Sequence, residues 1–139
     1  MISVLLAEDN PADVLLIREA IKLQRFDFEL FVQRNGEEIT RFVDRLDARE
    51  MDFLPQVILL DLNLPRTGGE SVLHRIRRSP LLAEVPVIVV TSSDSPKDRE
   101  AVAAFPGTNY FRKPSDLDAF LQLGALIKDV LGIANNNHR

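Results

Sequence analysis

With 139 residues, 45% of them hydrophobic and 27% charged, the chain has the size and balance of one ordinary globular domain. A formal net charge of -4 with no basic patch argues against a nucleic-acid surface, and no stretch is apolar and long enough for a signal or a membrane span. The lack of cysteine excludes disulfides, thiolate metal sites and cysteine nucleophiles, and it fits a reducing cytoplasm.

Apolar runs and helical patterns alternate along the chain. Strand Ile2–Ala7 is followed by Asn10, a helix cap, with Pro11 at the first helical position, where its missing N–H costs nothing. Val14, Ile17 and Ile21 give that helix an inward stripe. Phe28, Leu30 and Val32 alternate as a second strand. Asn35-Gly36 turns the chain into a helix whose Ile39, Phe42, Val43 and Leu46 share one face, with Glu37 and Glu38 in the first turn, where the dipole favours negative charge.

Strand Gln56–Leu60 leads to a loop with Pro65 and Gly68-Gly69, then to a helix carrying Val72, Leu73 and Ile76. Strand Val87–Thr91 follows, Ser95-Pro96 opens a fourth helix, and Asn109–Arg112 forms the fifth strand. Ser115 is expected to cap the last helix, whose Leu117, Phe120, Leu121, Ile127 and Leu131 face inward. Residues 1–132 are expected to form one domain, and residues 133–139 a flexible tail. Five such strand–helix units predict an α/β fold: a flavodoxin-like, doubly wound, five-stranded parallel sheet of order 2-1-3-4-5 with five helices.

In that order the first and third strands meet at the switch point, where open sheets bind ligands beyond the carboxyl ends of their strands. Glu8 and Asp9 end the first strand there, and Asp61 ends the third. Thr91 ends the fourth, and Lys113 follows the fifth. Taken singly, Glu8-Asp9 reads as a solvated loop or a cap, Thr91 as a hydroxyl bonded to its own backbone, and Lys113 as a surface lysine. Asp61 is different, because a carboxylate at the mouth of a strand buried on both faces must be paired, protonated or bound to a metal. Clustered acids raise one another's pKa unless a cation intervenes, and magnesium is the usual answer where phosphate is handled. His74 on a helix and His138 in the tail read as bystanders. Gly68-Gly69 lacks the spacing and the following lysine of a phosphate-cradling loop.

This set resembles the receiver domain of bacterial two-component response regulators: Glu8-Asp9, Asp61 with Pro65 and Gly69 after it, Thr91 followed by Ser92-Ser93, and Tyr110 before Lys113-Pro114. The resemblance covers Ile2 to about Leu131. It implies that Asp61 is the phosphoacceptor of a partner histidine kinase and that Mg2+ is the cofactor. Asp9 and Asp61 would ligate the ion directly, Asn63 through its backbone carbonyl and Glu8 through water. Lys113 would pair with Asp61 and then with the phosphoryl group. Thr91 and Tyr110 would form the switch, Asn63 and Ser93 would tune phosphate lifetime, and Lys113–Pro114 would be a cis peptide.

No output domain is apparent after the last helix, so a stand-alone cytoplasmic regulator is expected, one that catalyses only its own phosphorylation and dephosphorylation. The Ser79–Leu82 connection, the Pro86 entry and the Asp47–Pro55 segment resemble regulators paired with phytochrome-type kinases. A downstream protein or phosphotransfer protein is the expected target. A homodimer through helix 4, strand 5 and helix 5 is also expected, on the strength of an apolar arc of Phe120, Leu123 and Leu126. No nucleic acid and no membrane is expected as partner.

Three rivals differ in chemistry. A haloacid-dehalogenase-like magnesium phosphatase needs a second Asp where this chain has Asn63. A receiver-like docking module would never take phosphate. A flavodoxin-like electron carrier needs a phosphate-binding Ser/Thr/Gly loop after the first strand, and none is present.

Overall fold

The structure, a computed structural model, describes residues 1–133. Five parallel strands, β1 (Ile2–Ala7), β2 (Phe28–Gln33), β3 (Val57–Leu60), β4 (Val87–Thr91) and β5 (Thr108–Arg112), lie in the order β2-β1-β3-β4-β5, as the unit count predicts. The helices are α1 (Pro11–Lys22), α2 (Gly36–Asp47), α3 (Gly69–Arg78), α4 (Pro96–Ala103), α5 (Leu117–Leu121) and α6 (Leu123–Leu131). The last two occupy the place of the single final helix that the pattern predicts. Gln122 between them keeps helical angles, φ -64 and ψ -17. The tail expected at 133–139 lies, but for Ile133, outside the described residues, as does His138.

Caps set the helix starts. The Asn10 side chain accepts the N–H groups of Ala12 and Asp13, Asn35 accepts that of Glu38, and Ser95 accepts that of Asp98. The final helix begins one residue later than expected: Asp116, not Ser115, takes the Ala119 N–H. A carboxylate is the stronger partner for a helix N-terminus, because it also meets the dipole.

Strand residues alternate between two cores. Leu5, Ala7, Ile58, Leu60, Val87 and Val89 pack under α2 and α3. Val4, Leu6, Val57, Leu59, Ile88 and Val90 pack under α1 and the α5–α6 pair. With both faces covered, β3 and β4 are apolar at every position except the terminal Thr91, and each of their residues is buried.

The same packing corrects the apolar arc. Phe120 and Leu123 are 3% and 0% exposed and belong with Ile127 to the second core, and Leu126 is half-buried against it. Phe120, Leu123 and Ile127 stand at i, i+3 and i+7, which is one inward stripe rather than a second, outward face.

Two close approaches fix the loop that follows β3. A Cβ on Gly36 would lie 2.1 Å from the Thr67 carbonyl oxygen, and one on Gly69 would lie 2.4 Å from the Leu62 Cα. Gly68, between them, has open space. Gly69→Ala is therefore expected to cost about 1–3 kcal/mol by forcing backbone apart, and Gly68→Ala less than about 0.5 kcal/mol. Urea unfolding midpoints of the two variants would show the difference, and equal losses would contradict it.

Candidate functional site

At the carboxyl edge of the sheet, parallel pairing brings sequence-distant strand ends together. Ala7 is in register with Leu60 and Thr91 with Arg112, so Glu8 and Asp61 leave neighbouring strands side by side and Lys113 leaves beside Thr91. The backbone N–H of Lys113 donates to the Thr91 carbonyl at 2.8 Å, which fixes where the lysine side chain emerges.

The Lys113 ammonium hydrogen-bonds Asp61 Oδ2 at 3.0 Å and Asp13 Oδ2 at 2.8 Å. It also lies 2.8 Å from Glu8 Oε1, an ion-pair distance without hydrogen-bond geometry, which leaves that buried oxygen without a hydrogen-bond donor. Glu8 and Asp61 are 1% and 5% exposed. Burial pushes Glu8 up to about 7 from the ordinary 4.5; the Asp61 charge adds to this, while Lys113 and the Asn10 N–H oppose it. Burial alone would depress Lys113, but its hydrogen bonds to Asp13 and Asp61 and its ion pair with Glu8 outweigh burial and hold it well above the usual lysine range.

Carboxylate oxygens of Glu8, Asp9 and Asp61 lie within 4.8 Å of one another. Three carboxylates, one with a buried oxygen lacking a donor and one exposed to incoming water, suit a hard divalent cation that keeps part of its hydration. The residues fit magnesium.

The remaining predicted residues gather around this group. The Asn63 backbone N–H donates to Asp61 Oδ1 at 3.0 Å, and its amide lies 3.4 Å from Thr91 Oγ1. Thr91 is fully buried, and its hydroxyl oxygen also accepts the Ser93 N–H at 3.3 Å, the local bond that strand-end threonines favour. The Ser93 hydroxyl donates to Asp98 of α4. The Tyr110 hydroxyl donates to the Ser93 carbonyl at 2.7 Å, and the Arg99 guanidinium sits 4.3 Å from the centre of the Tyr110 ring.

Two corrections concern the site. Among the described residues no peptide bond is cis, so Lys113–Pro114 is trans. Trans is the lower form of an X–Pro bond by about 0.5–1 kcal/mol, and here it already lets Lys113 satisfy both its N–H and its ammonium. The second correction is an omission. Asp13, in the first turn of α1, binds the same ammonium, although from sequence it passes for an acid that simply complements the helix dipole. His74 stays outside the site, exposed on α3 with its ring edge-on to Phe105.

Comparison with known proteins agrees with the geometry. A family model described as a response regulator receiver domain matches residues 4–124. Response regulator Rcp1 of Synechocystis sp. is 39% identical over 95 residues, covering 68% of this chain and 65% of that protein, just under two thirds of its length. The crystal structure of the Mn(2+)-bound form of Rcp1 superposes with a TM-score of 0.85 at 31% identity, covering 97% of this chain and 98% of that one. The phosphorylated cyanobacterial phytochrome response regulator RcpA gives a TM-score of 0.85 at 30% identity, covering 96% of each chain.

The raised pKa of Glu8 fixes the sign of a pH effect. The fold favours protonated Glu8, so in the absence of metal this group's contribution is fully present below about 4.5 and is lost as pH rises through about 7. A cation reverses that loss by answering the ionised group. Magnesium should therefore raise the melting temperature more at about pH 8 than at about pH 5.5. Equal rises at the two pH values would contradict the assignment of Glu8 to the cation-binding group.

Proposed function

This chain belongs to the response regulator receiver domain family, and on that footing we propose that it accepts a phosphoryl group on Asp61 from a partner histidine kinase. The observation that carries the proposal is a buried Asp61 carboxylate bonded to Lys113 at 3.0 Å, with Glu8 and Asp9 in reach of the same cation. Phosphoryl transfer passes through a loose transition state, so placing an oxygen in line and neutralising charge supply most of the catalysis.

In this mechanism a carboxylate oxygen of Asp61 forms a bond to phosphorus as the P–N bond to the donor imidazole breaks. The electron pair of that bond stays on the ring nitrogen, and the product is an acyl phosphate. Asp9, Asp61 and the Asn63 backbone carbonyl, with Glu8 through water, would hold magnesium, which would supply positive charge to offset that of the carboxylates and the phosphoryl group. Lys113 supplies the second positive charge. Thr91 donates its hydroxyl proton to a phosphoryl oxygen, since that hydroxyl oxygen is already an acceptor for Ser93 and Asn63. Movement at Thr91 reaches Tyr110 through the Ser93 carbonyl, which makes the Thr91–Tyr110 pair the switch. Asn63 and Ser93, beside the acyl phosphate, tune its lifetime.

The receiver unit is assigned to residues 1–132; the end of α6 at Leu131 and the left-handed Gly132, φ 71, support that boundary. A phytochrome-type kinase as partner is supported by the likeness to RcpA. Output is assigned to the face of α4, β5 and α5, toward a downstream or phosphotransfer protein and a second copy of the chain. With Phe120 and Leu123 in the core, the support there is polar: Asp94, Arg99 and Arg112 form ion pairs on that face, and Leu117 at the start of α5 is exposed. A cytoplasmic setting fits the lack of cysteine. No helix among the described residues is long and apolar enough to cross a membrane. The phosphatase rival is not favoured: Asn63 offers an amide where that chemistry needs a general acid.

A small phosphodonor with magnesium should add one acid-labile phosphate to the wild type and none to Asp61→Asn. Sedimentation of the phosphorylated wild type should show the dimer. Full labelling of Asp61→Asn would refute the phosphoacceptor assignment, and a wild type that stays monomeric in both states would refute the pairing.

A further inference from the structure

We propose that Asp13 is a positioning residue for the phosphoryl reaction, acting through Lys113 by competing with the phosphoryl group for its ammonium. The inference rests on the phosphoacceptor reading above and deepens it.

A lysine ammonium has three N–H donors and no acceptor. Here two of those donors are in hydrogen bonds, to Asp13 at 2.8 Å and to Asp61 at 3.0 Å, and Glu8 Oε1 lies against the same nitrogen at 2.8 Å. The ammonium is crowded by anions before any phosphate arrives. A phosphoryl oxygen can be gripped only if one of these contacts yields.

Two of the three anions have other business at the site. Glu8 and Asp61 belong, with Asp9, to the carboxylate group that can share a cation, whereas Asp13 lies outside it. The effect of Asp13 is thus exerted on the lysine. Its carboxylate comes from α1, a different element from the strand ends that carry Glu8, Asp61 and Lys113. With its side chain 20% exposed and that of Lys113 11% exposed, the pair is open in part to solvent.

The charge argument gives the sign. The bound oxygens of Asp13 and Asp61 touch one nitrogen and so lie within roughly 6 Å of each other. A negative charge at that range repels a dianionic phosphodonor and retains the cation the phosphoryl group needs. Removing it should speed capture of phosphate. Asp13→Asn keeps the size and one oxygen acceptor but loses the charge, while Asp13→Ala loses both.

The test is the initial rate of phosphorylation by acetyl phosphate with magnesium for the wild type, Asp13→Asn and Asp13→Ala. It is paired with the equilibrium affinity for trifluoroberyllate, an anionic phosphoryl mimic that undergoes no turnover. Metal-free melting curves confirm that each chain is folded. Both variants are expected to be phosphorylated about 3–10-fold faster and to bind the mimic correspondingly tighter. A slow Asp13→Ala beside an unchanged Asp13→Asn would overturn competition in favour of a simple mooring for Lys113. Two variants that melt differently yet match the wild type in rate and affinity would overturn the inference alone, leaving Asp13 as a helix-terminal acid. A wild type that takes no phosphate would overturn it together with the phosphoacceptor reading.

Discussion

The C-terminal edge of the sheet is organised by one largely buried cation. The Lys113 ammonium, delivered from the end of β5 by a backbone bond to Thr91, lies within 3.0 Å of carboxylate oxygens from three other segments. Without it, Glu8 and Asp61 would be nearly dehydrated anions side by side. Removing one partner from such a pair typically costs about 3–5 kcal/mol. Even with it, the acids outnumber the ammonium: burial, with the Asp61 charge adding to it, raises the pKa of Glu8, and one Glu8 oxygen has no donor. That unanswered negative charge suits the site to a divalent cation.

The fold follows from the same requirement read in reverse. A buried acid can sit at the end of a strand only where chains meet and partners can converge, which is the switch point between β1 and β3. Apolar strands covered on both faces hold that point rigid. The loop after β3 is pinned by backbone contact at Gly36 and Gly69, so Asn63 stays where its N–H meets Asp61. On the other side the chain of contacts runs outward from Asn63 to Thr91, from Thr91 to Ser93, and from Ser93 to Tyr110 and α4. A contiguous set of hydrogen bonds therefore runs from Asp61 to α4 and β5.

Much of this was legible in the sequence, for physical reasons that differ by residue. Runs such as Val57–Leu60 and Val87–Val90 allow no exposed face, so a parallel sheet covered on both sides and the strand-end position of Asp61 follow, with 2-1-3-4-5 a common order for such a sheet. Asn10, Asn35 and Ser95 announce their helices because capping is local chemistry. What was hidden depends on tertiary geometry. Asp13 has a sufficient local explanation at a helix N-terminus, and nothing in its neighbourhood signals a lysine 100 residues away. Phe120 and Leu123 are apolar on any reading, and only the packing of α5 and α6 against the sheet tells an inward stripe from an outward patch. The bond before Pro114 is trans, and family likeness alone pointed the other way.

The account stands on the claim that Lys113 and a divalent cation answer the same carboxylates. Calorimetric titration of magnesium into Lys113→Met, beside the wild type and with both shown to be folded, tests it most directly. Removing the ammonium leaves the acids with more negative charge to offer, so the variant should bind magnesium more tightly, on the order of tenfold. An affinity that is unchanged or weaker would mean that lysine and cation do not share those oxygens, and would contradict the account.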